Sequence, residues 1–383
     1  MRRTGRHFPG RHCAGRHCAG QRASLRGLSV LLAFVSTVGV HAQAVSIADY
    51  EPVSTLVVPG HPITRAKYPF IDVHSHQRNL SATAVDRLIA DMDRINLQVM
   101  VNLSGGSGDR LKAVVEATKG RYPGRFVIFA NIRFDRIDDP DYGERAAAQL
   151  EEDVRNGAQG LKIFKNLGMF SRDATGQRVP TDDPRLDPIW RKCAELGIPV
   201  LIHTGEPDSF WLPHDRYNER WLELSMFPNR KRDTVNFASF DETMAEQHNL
   251  FRRHPETTFI SAHLSWLGNN LARLGELLDE LPNMYTELGA VLHELGRQPR
   301  FAREWLIRYQ DRVLMGKDIW NPDEYYTYFR VFETADDYFD YYRKRHAHWK
   351  MYGLDLPPEV LKKIYYKNAL RLVPGLDSAA FPD

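Results

Sequence analysis

The stretch Tyr-Pro-Phe-Ile-Asp-Val-His-Ser-His-Gln, residues 68–77, decides how the rest of the chain is interpreted. Phe70–Val73 is a short, mostly apolar run entered through a proline, which is typical of the first buried strand of a parallel sheet. Side chains alternate along a strand, so His74 and His76 face the same side, about 6–7 Å apart. Two imidazoles placed in this way either converge on one metal ion or simply begin a loop. The later strand ends decide between these interpretations.

Seven further β-rich apolar runs follow, and helical patterns separate them. The runs are Gln98–Leu103, Phe126–Ile132, Gly160–Phe164, Pro199–His203, Thr258–His263, Met284–Leu288 and Arg312–Met315. The helical patterns are Ala84–Ile95, Arg110–Thr118, Asp141–Asn156, Pro188–Leu196, Asp241–Arg253, Leu271–Leu281 and Arg300–Tyr309. Eight strands that alternate with helices predict an α/β fold, the (β/α)8 or TIM barrel.

The predicted barrel domain spans residues 68–375, between a polar lead-in at 45–67 and a short C-terminal tail at 376–383. This domain is longer than the roughly 250 residues of a plain barrel. The surplus is predicted as two aromatic-rich insertions, Glu206–Asn236 after strand 5 and Ile319–Tyr352 after strand 8. Sequence after a strand lies at the face where barrel enzymes carry their sites. The aromatic residues favour helix packing, with a lid that stacks on a ring-shaped substrate as the alternative.

The first 44 residues have a different composition. They contain seven arginines and no acidic residue, followed by an apolar run, Leu28–Val40, and the small residues Ala42 and Ala44. This is the pattern of a secretory signal peptide, preceded here by a low-complexity presequence, and it predicts a periplasmic or secreted protein. An uncleaved N-terminal anchor is the less favoured alternative, because the apolar run is short for a membrane span. No stable membrane span is expected after the signal peptide has been removed.

Charge and cysteine content narrow the function classes. The whole chain carries +2, and subtracting the seven presequence arginines leaves about −5. A mildly acidic chain without basic clusters gives no reason to expect nucleic-acid binding. Cys193 is the only cysteine after the presequence, so the exported protein is predicted to rely on its core rather than on an internal disulfide. A small-molecule substrate is the expected partner, and the oligomeric state stays open.

Polar residues recur at the ends of four predicted strands. The fifth strand ends at His203, the sixth at His263 and the eighth at Asp318, while the fourth carries Lys162. The carboxyl ends of barrel strands meet in one ring, so these side chains should share a bowl with the two histidines of the first strand. Imidazoles plus a carboxylate, with positions left open, indicate a divalent-metal site suited to hydrolysis.

Taken together, these motifs resemble the amidohydrolase superfamily, specifically its amidohydrolase 2 branch of metal-dependent barrels. The resemblance covers roughly Phe70 to Pro374. It is carried by Ile-Asp-Val-His-Ser-His, Gly-Leu-Lys-Ile, Pro-Val-Leu-Ile-His-Thr-Gly, Phe-Ile-Ser-Ala-His-Leu, Arg-Val-Leu-Met-Gly-Lys-Asp and the late Ile-Tyr-Tyr-Lys-Asn-Ala-Leu-Arg-Leu. The resemblance implies a metal-dependent enzyme.

The resemblance also implies roles for individual residues. His74, His76 and His203 would be metal ligands, Asp318 would be a ligand and the catalytic acid–base, and His263 would be catalytic or support the ligands. The expected cofactor is one divalent ion, most simply Zn or Mn. Lys162 is expected to stand beside this single ion, and a carbamylated lysine that bridges two ions is the alternative. By alternation, Lys317 should point away from Asp318.

The chemistry that follows is hydrolysis of an amide, ester or lactone bond in a small substrate, with cyclic and sugar-derived compounds among the options. Asp318 would take the proton of the attacking water, and His263 would hydrogen-bond the oxyanion. The alternatives are a non-oxidative decarboxylase of a small aromatic or unsaturated acid and a non-catalytic binding barrel. The predicted substrate-pocket residues are Trp211, Arg220, Glu287, His293, Arg297 and Trp320.

Overall fold

The computed structural model describes residues 44–346 and 348–382. The predicted signal peptide therefore lies outside the described residues, apart from Ala44. The chain divides into two compact units, Met1–Tyr50 and Glu51–Asp383. In the first unit, the described residues include a turn in which the Asp49 backbone N–H donates to the Ser46 carbonyl at 2.9 Å. The second unit contains all the strands and helices of the described residues.

Eight parallel strands follow one another around the molecule in chain order. They are β1 Phe70–Ser75, β2 Leu97–Asn102, β3 Phe126–Asn131, β4 Gly160–Ile163, β5 Val200–Ile202, β6 Phe259–Ser261, β7 Met284–Glu287 and β8 Val313–Leu314. The last strand returns to the first, where the Val73 N–H donates to the Met315 carbonyl at 2.9 Å and the Asp318 N–H donates to the His74 carbonyl at 2.6 Å. The predicted barrel is confirmed, and its seam lies beside the predicted site.

Helices connect the strands and cover the outside of the barrel. In the first half these are α1 Ala82–Ile95, α2 Gly108–Val115, α3 Tyr142–Arg155, α4 Asn166–Met169, α5 Asp187–Glu195, α6 Trp221–Met226 and α7 Phe240–Arg253. In the second half they are α8 Leu271–Glu280, α9 Leu292–Arg297, α10 Pro299–Arg308, α11 Tyr325–Glu333, α12 Pro358–Lys362 and α13 Asn368–Leu372. No helix in the described part of the chain combines the length and the apolar character needed to cross a membrane.

Hydrophobic spacing explains why these segments fold as they do. Helix α1 buries Val85, Leu88, Ile89 and Met92, whose i, i+3, i+4, i+7 spacing places them on one face of the helix. The helix ends at Asn96, whose φ of 71° is the left-handed conformation that commonly stops a helix. Strand β3 is buried at every position from Phe126 to Ala130 because helices cover one face and the barrel interior covers the other.

The chain after the eighth strand is packed mainly through its aromatic residues. On α11, Tyr325 and Phe329 lie with their rings 5.7 and 5.6 Å from the ring of Phe70, and both side chains are fully buried. Tyr328 on the same helix is also buried. For these residues, packing rather than a substrate lid is the structural role.

Candidate metal centre

The two histidines that end β1 are each fixed through one ring nitrogen. His74 Nδ1 lies 2.9 Å from Glu287 Oε1, and His76 Nδ1 lies 3.0 Å from the hydroxyl of Ser104. A carboxylate only accepts hydrogen bonds, so the Nδ1 of His74 carries the proton and its Nε2 carries the lone pair. Within the described residues, that buried Nε2 has no hydrogen-bond partner. A histidine held in this way is oriented as metal ligands usually are.

His203 and His263 face one another across the bowl. His263 Nδ1 donates to the Gly289 carbonyl at 2.7 Å, which leaves its Nε2 3.4 Å from His203 Nδ1. Because His263 Nε2 is then the acceptor, His203 carries its proton on Nδ1. The buried Nε2 of His203 has no partner among the described residues. These hydrogen bonds thus leave the Nε2 of His203, like that of His74, with an unshared lone pair.

Asp318 follows β8 and brings its carboxylate to the histidines. One carboxylate oxygen, Oδ1, lies 3.7 Å from the Nε2 atoms of both His74 and His76. The backbone of Asp318 has a φ of 84°, which a non-glycine residue adopts only when its surroundings hold it there. The hydrogen bond from its N–H to the His74 carbonyl is one such restraint.

Two groups of potential ligands are compact, with donor atoms that all lie within 4.8 Å of one another. One group is His74, His76 and Asp318, and the other is His74, His263 and Glu287. His203 belongs to neither group, although it lines the same cavity as Asp318. Neutral imidazole nitrogens and a carboxylate are the donors that divalent transition metals prefer, so these residues fit the predicted metal.

Electrostatics keep this donor set in its metal-binding protonation state. Burial, with Lys162 as the next cause, holds the pKa of His74 well below its ordinary value and lowers that of His76 to about 4. Burial also lowers the pKa of His203, as does the neighbouring His263. Burial alone would raise the pKa of Asp318, but His74, His263 and His76 lower it overall. At neutral pH the imidazoles are uncharged and the carboxylate is ionised.

Glu287, at the end of β7, is the brace behind the site. Its Oε1 accepts from the ring of His74 and, at 2.7 Å, from the backbone N–H of His263. Its Oε2 accepts from the Gly289 N–H at 2.6 Å. Glu287 was predicted for the substrate pocket, and this assignment is corrected: the side chain is completely buried and orients His74 instead.

A left-handed turn presents His263. Four consecutive residues, His263 to Trp266, have φ values between 51° and 59°, although none is glycine. Gln247 of α7 holds the turn, since its Oε1 accepts from Ser261 Oγ at 2.9 Å and from Ser265 Oγ at 3.0 Å. Trp266 folds back so that its ring stacks on that of His263, with centroids 4.5 Å apart. Such strain is commonly retained at functional sites.

Comparison with known proteins agrees with this geometry. The sequence matches a family model described as Amidohydrolase, of the amidohydrolase 2 group, over residues 71–375. The chain belongs to the amidohydrolase 2 family. Members of this family are metal-dependent hydrolases or decarboxylases, and the chain is therefore an enzyme of that class. A search of curated proteins finds no match.

Solved structures share the fold of this amidohydrolase 2 chain. An uncharacterised TIM-barrel protein from Bordetella bronchiseptica is 19% identical, with a TM-score of 0.50 over 79% of this chain and 97% of its own. A 2,6-dihydroxybenzoate decarboxylase from Rhizobium is 18% identical, with a TM-score of 0.50 over 80% of this chain and 98% of its own. A dihydroxybenzoic acid decarboxylase from Polaromonas, with bound manganese and 2-nitroresorcinol, is 17% identical, with a TM-score of 0.50 over 80% of this chain and 96% of its own.

Two lysines lie close to the centre of this amidohydrolase 2 site. Lys162 of β4 is buried, its Nζ has no hydrogen-bond partner among the described residues, and burial lowers its pKa to about 7. Lys317 turns away from Asp318, as expected, and its ammonium donates to Glu324 and to the Ile319 carbonyl. Lys317 therefore stabilises the segment that follows β8 and does not face the proposed metal ligands.

The other predicted pocket residues are dispersed. The indole N–H of Trp211 donates to the Ala238 carbonyl at 2.9 Å, and Trp320 packs with its ring 5.6 Å from that of Tyr325. His293 is completely buried, and Arg297 pairs with Glu219 at 3.1 Å. Of the six predicted pocket residues, only Arg220 is among the described residues that line the cavity in front of the histidines.

That cavity has a volume of about 100 Å³ and joins His203, His263 and Asp318 to a group of basic side chains. These are Lys165, Arg220, Arg230, Arg343 and Arg345. Except for Arg220, these residues were not predicted from the sequence. They lie in irregular segments after β4, β5 and β8, where no periodic pattern indicates the direction of a side chain. The available signal was the number of arginines within the two predicted insertions.

Proposed function

We propose that this enzyme is an exported metal-dependent hydrolase that uses activated water on an amide, ester or lactone bond of a small substrate. The observation that carries the proposal is the compact group of His74, His76 and Asp318, with His203 lining the same cavity as Asp318. Such a set combines ligands for an ion with a base for a water molecule in one bowl.

The proposed cofactor is one divalent ion, Zn or Mn. His74, His76, His203 and Asp318 would hold it. When bound, an ion in such a site lowers the pKa of water to about 7 and polarises a carbonyl oxygen. The manganese in the Polaromonas decarboxylase supports a divalent ion in this family.

Asp318 and His263 have separate proposed duties. Asp318 takes the proton of the attacking water and passes it to the leaving group. His263 already gives its Nδ1 proton to the Gly289 carbonyl, so its Nε2 donates to an oxyanion only in the doubly protonated form. His263 is proposed to stabilise developing negative charge only where its Nε2 has exchanged the hydrogen bond from His203 for a proton.

A second candidate is non-oxidative decarboxylation of a small aromatic acid. Two of the structural neighbours are dihydroxybenzoate decarboxylases, which is the observation that favours it. In that reaction Asp318 would deliver a proton to the ring carbon instead of taking one from water.

Isotope labelling distinguishes the two reactions. Metal-loaded protein is screened against small esters, lactones, amides and hydroxybenzoates, first in heavy-oxygen water and then in deuterium oxide. Hydrolysis places one heavy oxygen in the product acid, whereas decarboxylation releases carbon dioxide and places deuterium on carbon. We expect heavy-oxygen incorporation; carbon dioxide release with deuterium on carbon would replace the hydrolase by the decarboxylase.

Metal analysis tests the ion. Protein purified without an affinity tag should contain about one Zn or Mn per chain, and the double variant His74→Ala, His76→Ala should retain none while staying folded. Two ions per chain, with carbon dioxide required for assembly, would indicate a carbamylated Lys162 instead.

Export is proposed from the Arg-rich start and the Ala42-Gln43-Ala44 site. N-terminal sequencing of protein from the native host should begin at about residue 43 or 45. An intact Met1 in a cytosolic fraction would contradict export without affecting the chemistry.

A further inference from the structure

The lining of the cavity beside the histidines carries more positive than negative charge. Its lining contains five cationic side chains and three carboxylates, Glu206, Glu223 and Asp318, counted over the described residues. Asp318 belongs to the predicted metal ligands. Glu206 is shared between Lys165 at 2.6 Å and Arg232 at 3.0 Å. Neither Asp318 nor Glu206 is therefore free to balance another cation of the lining.

Glu223 is committed in the same way. It pairs with Arg220 at 3.0 Å, where both side chains are only 2% exposed, and also with Arg230. His346 lies 3.5 Å away, and burial lowers the pKa of His346 to about 4, so this imidazole is neutral at pH 7. One carboxylate thus faces two guanidinium groups, and a positive charge remains.

Arg345 is the lining cation that forms no ion pair with a described carboxylate, and Glu223, which attracts it from a distance, is already paired with Arg220 and Arg230. Its guanidinium lies 5.1 Å from the ring centroid of Phe227, and it makes no ion pair or hydrogen bond with any described residue. Its Nε is buried. The neighbouring Arg343 pairs with Glu324 at 3.1 Å, and Glu324 lies outside the cavity lining. Inside the cavity, the positive charge of Arg343 therefore adds to that of Arg345.

The buried Nε–H of Arg345 has no acceptor among the described residues, which is unfavourable because this group has lost water and gained no hydrogen bond. The fork of N–H donors on an arginine matches the two oxygens of a carboxylate. We infer that Arg345, with Arg343 and Arg230 beside it, is a carboxylate-binding subsite, and that the substrate of this enzyme is an organic acid whose carboxylate lies away from the reacting group.

This inference rests on the proposed function only in placing the reacting group at the histidines. It makes Arg345 a specificity-determining residue, since a neutral analogue of the substrate would leave the guanidinium unpaired in the cavity. Arg345 is also the suitable residue to change: unlike Arg220, it forms no ion pair with the buried Glu223, so the variant is expected to fold.

The test measures binding rather than turnover. Calorimetric titrations use isophthalate, benzoate and the neutral benzamide, with chelator-treated and metal-loaded protein, for the wild type, Arg345→Gln, Arg345→Lys and the control Arg297→Gln. Arg297 receives the same substitution as Arg345 but pairs with Glu219 and is not among the lining residues. Titrations at low and high salt complete the set.

We expect both acids to bind chelator-treated wild-type protein, and benzamide to bind at least about tenfold more weakly. Arg345→Gln should weaken isophthalate about 10- to 100-fold, the usual value of a hydrogen-bonded charge, while Arg345→Lys loses less and Arg297→Gln stays within twofold. High salt should weaken binding to the wild type more than binding to Arg345→Gln.

The inference is overturned if benzamide binds as tightly as the acids, or if Arg345→Gln leaves isophthalate affinity within twofold. It is also overturned if the acids bind only metal-loaded protein with no dependence on Arg345. Because these titrations involve no catalysis, a protein that binds acids through Arg345 yet hydrolyses nothing would refute the proposed function and leave the subsite intact.

Discussion

At Asp318, one side chain is assigned both to the metal and to the proton, and substitution separates these duties. Asp318→Asn keeps the size and one oxygen donor but removes the base, so we expect metal to remain largely bound and turnover to fall by about 10²–10⁴-fold. His203→Ala should instead lose metal and activity together, because it removes a proposed metal ligand. Metal content and rate are measured for both variants on one substrate.

Full activity in Asp318→Asn with its metal in place would show that the proton is handled elsewhere. Full metal content in His203→Ala would restrict the ligand set to the compact group of His74, His76 and Asp318.

The brace at Glu287 gives a second prediction at the scale of one residue. Glu287→Ala removes the acceptor behind the His74 ring and strands the His263 and Gly289 N–H groups, so metal affinity should fall about 10- to 100-fold and folding stability should also decrease. Glu287→Gln, which keeps one carbonyl acceptor, serves as the control and should lose less of both. Metal titration with chelator competition and urea unfolding provide the two measurements. Unchanged metal affinity in Glu287→Ala would show that packing alone orients His74.

Single residues were predicted well where strand periodicity fixes the direction of a side chain. The shared facing of His74 and His76 and the opposite facing of Lys317 both follow from alternation. The role of Glu287 was missed because alternation states which side a residue faces, not which neighbour it meets there. Arg345 was missed because it lies in an irregular segment, where spacing carries no directional information.

At the scale of elements, the turn from His263 to Trp266 has a conformation that is unfavourable for the folded state. Left-handed conformations cost about 1–2 kcal/mol per non-glycine residue, and this turn contains four of them. The two hydroxyl hydrogen bonds to Gln247 and the bond from the His263 N–H to Glu287 offset part of that cost. The turn is therefore held from two sides, by α7 and by the end of β7.

Releasing the turn from α7 is predicted to harm catalysis more than metal binding. Gln247→Ala leaves two buried hydroxyl groups without their acceptor and should destabilise the fold by about 1–3 kcal/mol. Turnover should fall because His263 moves, whereas metal content should stay, since Gln247 contacts none of the predicted ligands. The matched control is Ser261→Ala, which removes only the bond made from β6, outside the turn. Loss of metal from Gln247→Ala would show that the turn supports the ligands themselves.

All eight strands begin and end within about two residues of their predicted bounds, because buried parallel strands form short apolar runs with polar ends. The turn at 263–266 was not predicted. Its residues carry no glycine or asparagine to signal positive φ, so the conformation is imposed by contacts from other elements rather than by local sequence.

For the whole molecule, buried histidines predict acid sensitivity. Burial lowers the pKa of seven: His74, His76, His203, His248, His254, His293 and His346. Between about pH 4 and 6.5 the unfolded chain binds protons at these sites that the folded chain does not, so stability rises with pH there. Burial raises the pKa of four carboxyl groups, Asp72, Asp153, Glu294 and Glu333, which oppose this trend. The histidines outnumber them.

Urea unfolding of chelator-treated protein should therefore show a loss of more than about 3 kcal/mol between pH 7 and pH 4.5. His248→Gln should reduce this dependence, since His248 is buried away from the site with a pKa of about 4. The exposed His214→Gln is the control. A flat stability between these pH values would mean that the folded state accepts these protons, by opening or by admitting water.

The seam of the barrel has a consequence for biosynthesis. His74 and Asp318 are neighbours through a backbone hydrogen bond, yet the ribosome makes one near the start of the domain and the other near its end. A nascent chain acquires its histidines before its carboxylate, so the full set of proposed ligands comes together only after the last strand has joined the first. The metal content of a preparation would then measure the fraction of molecules whose barrel has closed. A defect anywhere in barrel assembly would lower the metal content, even when the amount of synthesised protein is unchanged.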